Sequence, residues 1–203
     1  SGGNTYVTPQ SAVNTQNKIT YSTDVNANLP GSTIGDARWG HAGISDATAG
    51  WYWGGNTGGS SYDRTHIYKT TFATDAVTTS PAQMTAGSYM IHSTNSASAG
   101  YTFGGHSYPT SSQKLTFATE SCTLLPGVMP SVINVSGSST GTQTAGYVTA
   151  GTPGNSTVAK ITWATETSAN IPSTLTSARS QTYAVGNTTD GFFGGGSPGG
   201  NAR

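Results

Sequence analysis

The stretch Lys160-Ile161-Thr162-Trp163-Ala164-Thr165-Glu166 occurs in four versions. The others are Lys114-Leu115-Thr116-Phe117-Ala118-Thr119-Glu120, Lys69-Thr70-Thr71-Phe72-Ala73-Thr74-Asp75 and Lys18-Ile19-Thr20-Tyr21-Ser22-Thr23-Asp24. The rule is lysine, any residue, Thr (or its equivalent), aromatic, small, Thr, acid. Successive copies lie 51, 45 and 46 residues apart, and Lys18, Lys69, Lys114 and Lys160 are all the lysines of the chain. A second element alternates with the first. Gly50-Trp51-Tyr52-Trp53-Gly54-Gly55 matches Gly100-Tyr101-Thr102-Phe103-Gly104-Gly105, Gly146-Tyr147-Val148-Thr149-Ala150-Gly151 and Gly191-Phe192-Phe193-Gly194-Gly195-Gly196. The closing glycines Gly55, Gly105, Gly151 and Gly196 repeat with the same period, and Gly2-Gly3 falls where a further copy would close.

A period of 45–50 residues rich in β formers and glycine predicts an all-β propeller of four-stranded units. In Lys160–Glu166 alternation puts Ile161, Trp163 and Thr165 on one face, with the charges on the other. This predicts a strand along the motif, a turn made by Glu166 and the following Thr167–Asn170, and a short edge strand at Ile171-Pro172. Within such a strand the Lys and the acid are about 20 Å apart and cannot pair with each other. Pairing with a neighbouring unit stays open. Asp46-Ala47 and Thr189-Asp190 predict hairpin turns. No helical periodicity interrupts the pattern. The expected organisation is one domain over 1–203, with repeats at about 4–55, 56–105, 106–151 and 152–196.

Composition fits this reading. The 203 residues carry zero formal net charge and only 8% charged residues, against roughly 25% in ordinary globular proteins. Nothing here would neutralise a run of phosphates, so nucleic acid is not an expected partner. Ten Tyr, five Phe and four Trp at regular places argue for a folded chain. No apolar run is long enough for a helical membrane span.

The motifs resemble the kelch superfamily. The features in common are the Arg38-x-x-His41 and Arg179-x-x-Thr182 strand, the aromatic strand ending in a Gly pair, and the Lys-x-Thr-aromatic strand that follows. The resemblance covers essentially the whole chain. It departs from the family in lacking the fourth-strand Trp and in having Ala150-Gly151 for the third Gly pair. The wording Thr-Phe-Ala-Thr-Glu is similar to divergent repeats of phage (cyanophage-like) and bacterial surface structural proteins. The resemblance implies a propeller with no cofactor, on a virion, phage tail or fibre, or cell surface. Partners would be other structural subunits or a host glycan, and a homo-oligomer is open. The N-terminal segment Lys18–Pro30 would supply two outer strands and Arg179–Gly196 two inner ones. Pairing these would clasp a four-bladed ring; otherwise the units belong to a longer array.

The chemistry-bearing residues are weighed against this scaffold. His41, His66, His92 and His106 have no metal-ligand spacing, although His41 and His92 occupy inner strands that converge on an axis. Cys122 has no partner set; a kelch-fold copper oxidase would need a Cys–Tyr crosslink with two His and another Tyr. Asp24, Asp75, Glu120 and Glu166 repeat, which argues for a structural role. Asp36, Asp46, Asp63 and Asp190 are left as candidates for a carbohydrate-active enzyme, the alternative reading. Sequons at Asn134, Asn155 and Asn187 are expected by chance. The loops after the Gly pairs differ most between repeats. They give the expected ligand-binding residues Tyr6, Asn56, Tyr62, Asp63, His106 and Tyr108, with no catalytic or metal residue. The function expected is that of a non-enzymatic structural or binding module presenting loops to a protein or glycan.

Overall fold

The computed structural model describes residues 13–57, 64–107, 110–126, 129, 137–149, 151 and 154–198. The described structure is all-β. Strands β1 (Asn17–Thr20) and β2 (Val25–Asn28) form a two-stranded sheet. Strands β3 (Ala42–Ser45), β4 (Ala49–Trp53), β5 (His66–Thr71) and β6 (Ala76–Gln83) form the first four-stranded sheet, in that order. The second holds β7 (His92–Asn95), β8 (Ala99–Phe103), β9 (Ser112–Thr116) and β10 (Ser121–Leu124). The third holds β11 (Ser138–Gly141), β12 (Ala145–Thr149), β13 (Asn155–Thr162) and β14 (Thr167–Ser180), with β17 (Ser197–Pro198) added at its edge. Strands β15 (Tyr183–Gly186) and β16 (Gly191–Gly194) form a last two-stranded sheet. All pairings are antiparallel. Each full sheet joins the Gly-aromatic hairpin of one period to the lysine hairpin that follows it.

The lysine motif is not one strand. Its strand stops at the Thr (Thr162, Thr71, Thr116 or Thr20), and the aromatic, small, Thr and acid residues form the turn. Thr162 pairs with Thr167, so Thr167–Asn170 is already the next strand and not a turn. The expected edge strand at Ile171-Pro172 is part of the long β14. The physical cause lies in the acid. Asp24, Asp75, Glu120 and Glu166 all have φ between 46° and 54°, a left-handed conformation that reverses the chain and disfavours Glu.

This turn carries the acid to the neighbouring unit. Lys18 reaches Asp75 at 2.8 Å, and Lys69–Glu120 and Lys114–Glu166 repeat the pair. Each of these three lysines therefore bonds the acid of the following sheet, never its own. Ser80 adds a hydroxyl to Glu120 at 2.8 Å. The hydrogen bond from Lys69 holds the Glu120 carboxyl below the usual carboxylate range, against the opposing effect of burial. A depressed folded-state pKa adds stability above the ordinary Glu range, about pH 4, which is lost as pH falls through the lowered value. Glu120→Gln is therefore expected to flatten the acid limb of a thermal-midpoint profile below about pH 4.5. The partly exposed pair contributes no more than about 1 kcal/mol.

Aromatic stacking follows the same rule. Trp51 of the first sheet stacks on Phe117 of the second at 4.5 Å, and Tyr101 of the second on Trp163 of the third at 4.1 Å. In the first and third sheets the glycine before the inner aromatic makes room for the turn aromatic of its own sheet, and Gly100 in the second chiefly makes room for Ile44 of the first. A Cβ on Gly146 would overlap the Trp163 ring, and one on Gly50 would touch Phe72 at 3.4 Å. Two apolar cores result. One lies between the first and second sheets around Trp51, Trp53, Ile67 and Leu115. The other lies between the second and third around Tyr101, Phe103, Val148 and Ile161. This is sheet-on-sheet packing through bulky faces.

Candidate functional site

The inner strands pack one on the next: β3 on β7, β7 on β11, and β11 on β15. Their leading ends face an open cavity of about 790 Å³. It is lined at equivalent positions of all four units, by Gly40-His41, Met90-Ile91, Gly137 and Gln181-Thr182. The chain bends identically at each described entry. Gly40, Met90 and Gln181 have φ of 64°, 53° and 58°, and the left-handed turn aims the following strand at the cavity. Met90 and Gln181 adopt this conformation without being glycine, and both line the cavity.

The entry to each strand is braced from behind. The buried guanidinium of Arg38 donates to the carbonyls of Gly54 at 2.7 Å and His66 at 3.1 Å, and pairs with Asp36 at 3.0 Å. It also lies over the Tyr68 ring at 4.7 Å. Burial lowers its pKa, partly offset by the electrostatic pull of Tyr68 and Asp36. Arg179 donates to the Gly195 carbonyl at 3.2 Å, so both arginines of the repeated strand grip the first glycine of the Gly pair. One residue before the cavity-lining Gly40 and Met90, Trp39 meets Tyr89 edge to face at 5.1 Å, and Tyr89 stacks on His106 at 4.6 Å. This ladder spans the first two units, and His106 at its end is exposed.

The predicted site residues divide. His106 ends the aromatic ladder, stacked on Tyr89. Asn56 is 2% exposed and forms a backbone bridge with Trp39, so its side chain lies inside. Tyr6, Tyr62, Asp63 and Tyr108 lie outside the described residues. Of the repeat markers, Lys18, Lys69 and Lys114 hold inter-sheet ion pairs. Lys160 lies over the Tyr147 ring at 5.9 Å. Gly55, Gly105 and Gly196 have φ of 97°, 108° and 96°. Gly151 is buried. His41 and His92 do line one cavity, but His92 Nε2 accepts the Gly137 amide at 3.1 Å. No group of three or more His, Cys, Asp or Glu is placed to hold a metal among the described residues. Sequence reading passed over Trp39, Tyr89 and Met90; the signal was their place just before the inner strands.

The other acids serve the backbone. Asp46 Oδ1 accepts the amides of Thr48 at 2.6 Å and Ala49 at 2.8 Å. Burial pushes the Asp46 carboxyl up, yet these amides hold it below the usual range. Ser96, Thr142 and Asn187 take the same place in the other three hairpins, each accepting amides two and three residues on. A site filled by Asp, Ser, Thr or Asn is a turn position needing any short acceptor. Burial pushes the Cys122 thiol up to about 11, so it is a poor nucleophile at neutral pH. No described helix is long and apolar enough to cross a membrane.

No protein-family model matches the chain, and no match is found among the curated proteins.

Proposed function

We propose that the chain is a non-enzymatic recognition module, a kelch-like propeller assembled from repeated sheets on a virion or other extracellular surface. The observation that carries this reading is the shared cavity at the leading ends of the inner strands, together with the Trp39–Tyr89–His106 ladder, whose first two rings stand one residue before the cavity-lining Gly40 and Met90. The rings brace one another on short connections between sheet strands, which limits the ordering entropy lost on binding. Ring faces beside polar backbone suit a sugar or an aromatic-rich protein loop. The surface supports the same view, since Thr, Ser and Gly replace charge throughout.

A carbohydrate-active enzyme on the same scaffold needs two acids poised across a cleft. Asp36 is committed to Arg38 and Asp46 to its turn. Asp190 sits beside Asn187 and bonds Thr189, and no observation favours the enzyme reading.

A glycan array and a pull-down from surface extracts test the proposal, each run with His106→Ala and Tyr89→Ala. We expect a bound ligand whose affinity falls about tenfold or more in the variants, the size of one lost aromatic stack. Polysaccharide turnover abolished by Asp36→Asn or Asp190→Asn would replace the reading with the enzymatic one. Binding unchanged in both ring variants would remove the aromatic ladder from it.

A further inference from the structure

The inter-sheet rules leave a set of unmet residues, and the set is complementary. In each full sheet the lysine stands opposite the aromatic after the glycine: Lys69 opposite Trp51, Lys114 opposite Tyr101, Lys160 opposite Tyr147. In the two half-sheets the corresponding residues are Lys18 on β1 and Phe192 on β16. Neither β1 nor β16 has a strand partner on its other edge among the described residues. Lys160 has no acid partner and Asp24 no lysine partner among them. Tyr147, which by the stacking rule needs a turn aromatic, faces a groove of about 390 Å³ with Val158, Ile171 and Leu175. Phe193 on β16 lines its other wall. The turn aromatic of the half-sheet, Tyr21, is 91% exposed, and Ile19 beside it is also exposed. Ile19 corresponds to Leu115 and Ile161, which are fully buried in the two formed cores. Phe192 and Phe72 complete the list; both are exposed.

We propose that this chain assembles head to tail with a second copy of itself. Hairpin β1–β2 of one copy fills the groove on the third sheet of the next and pairs with its β16. The new sheet is β15–β16–β1–β2, with Lys18 opposite Phe192 and Asn17 opposite Phe193. Ile19 and Tyr21 enter the groove, Tyr21 stacks on Tyr147, Phe72 stacks on Phe192, and Lys160 pairs with Asp24. Each contact copies one already formed inside the chain. A second copy is the occupant because the chain's own half-sheets stay unjoined: among the described strands β1 pairs only with β2 and β16 only with β15. The chain's own β1–β2 is held on the first sheet by Lys18–Asp75 and Gln16–Thr70. Free strand edges flanked by exposed apolar residues are templates for such pairing. The interface is heterologous, so it yields a closed ring or a filament depending on the rotation per copy. It is independent of what the aromatic ladder binds.

The test uses the full chain carrying Cys122→Ser, with Asn17→Cys and Phe193→Cys made singly and together. Mixed under mild oxidation, the two single variants are expected to give a covalent heterodimer. Pairing Asn17→Cys with the off-register Val185→Cys should crosslink at least tenfold more slowly. In sedimentation, Asp24→Lys and Lys160→Glu should each weaken self-association about tenfold, and an equimolar mixture of the two should restore it. Circular dichroism verifies that each variant is folded. A double-cysteine chain that forms only an internal disulfide and stays monomeric would show that its own hairpin fills the groove, overturning the proposal. A protein that stays monomeric at every concentration, with no crosslink, overturns it as well.

Discussion

Gly54→Ala is expected to unfold the first two units of the chain or to cost at least about 3 kcal/mol. Two effects add. Gly54 has φ of 68°, where a Cβ costs roughly 1–2 kcal/mol. That Cβ would also lie 2.5 Å from the Ser88 carbonyl oxygen and 2.7 Å from Ile91 Cδ1. A backbone oxygen cannot step aside as a side chain can, because Gly55 donates to the same Ser88 carbonyl at 2.9 Å. The residue sits where the first sheet's inner strand ends against the second unit, so the damage falls on the junction. Urea unfolding measures it, and a loss under 1 kcal/mol would mean that the junction is not tight. Gly31, with open space around its Cβ position, is the control and is expected to tolerate alanine within about 0.5 kcal/mol.

Trp51→Ala is the second large effect, about 3–5 kcal/mol. Trp51 is 1% exposed. It lies opposite Ile44 in the β3–β4 hairpin and stacks on Phe117 of the next sheet. Lys69 adds its ammonium over the ring at 5.6 Å. Truncation opens a cavity bounded by two rigid sheets, which cannot collapse to refill it. Phe72→Ala, at an exposed turn aromatic of the same motif, should cost far less in the isolated chain.

The repeat itself was legible because its markers are categorical: every lysine, and glycines at fixed spacing. The strand alternation was legible for the same reason, and the all-β structure follows from it. The point at which the lysine motif turns was not. Asp and Glu are poor indicators of a left-handed turn, so Thr-aromatic-small-Thr-acid reads as more strand. What keeps an acid there is the lysine of the neighbouring sheet, about 50 residues away in sequence, a partner that no local rule reveals. Arg38 was visible as a repeated residue, but its grip on the Gly54 carbonyl needs the fold to bring the two together. His106 was singled out because loops after the Gly pairs vary, and it stands exposed and stacked on Tyr89. Asn56 failed the same logic: it follows the pair so closely that the Trp39 bridge draws it inward. Trp39 and Tyr89 precede inner strands and looked like ordinary strand aromatics.

Repetition thus explains the charges and rings that first suggest chemistry. Three of the lysines, their three acid partners and the turn aromatics Phe117 and Trp163 are couplers that join one sheet to the next. A double-mutant cycle on Trp51→Leu and Phe117→Leu, measured by urea unfolding, tests this directly. The account predicts a coupling energy of about 0.5–1.5 kcal/mol between these two residues. Strictly additive losses would contradict it, because the sheets would then be stable without one another.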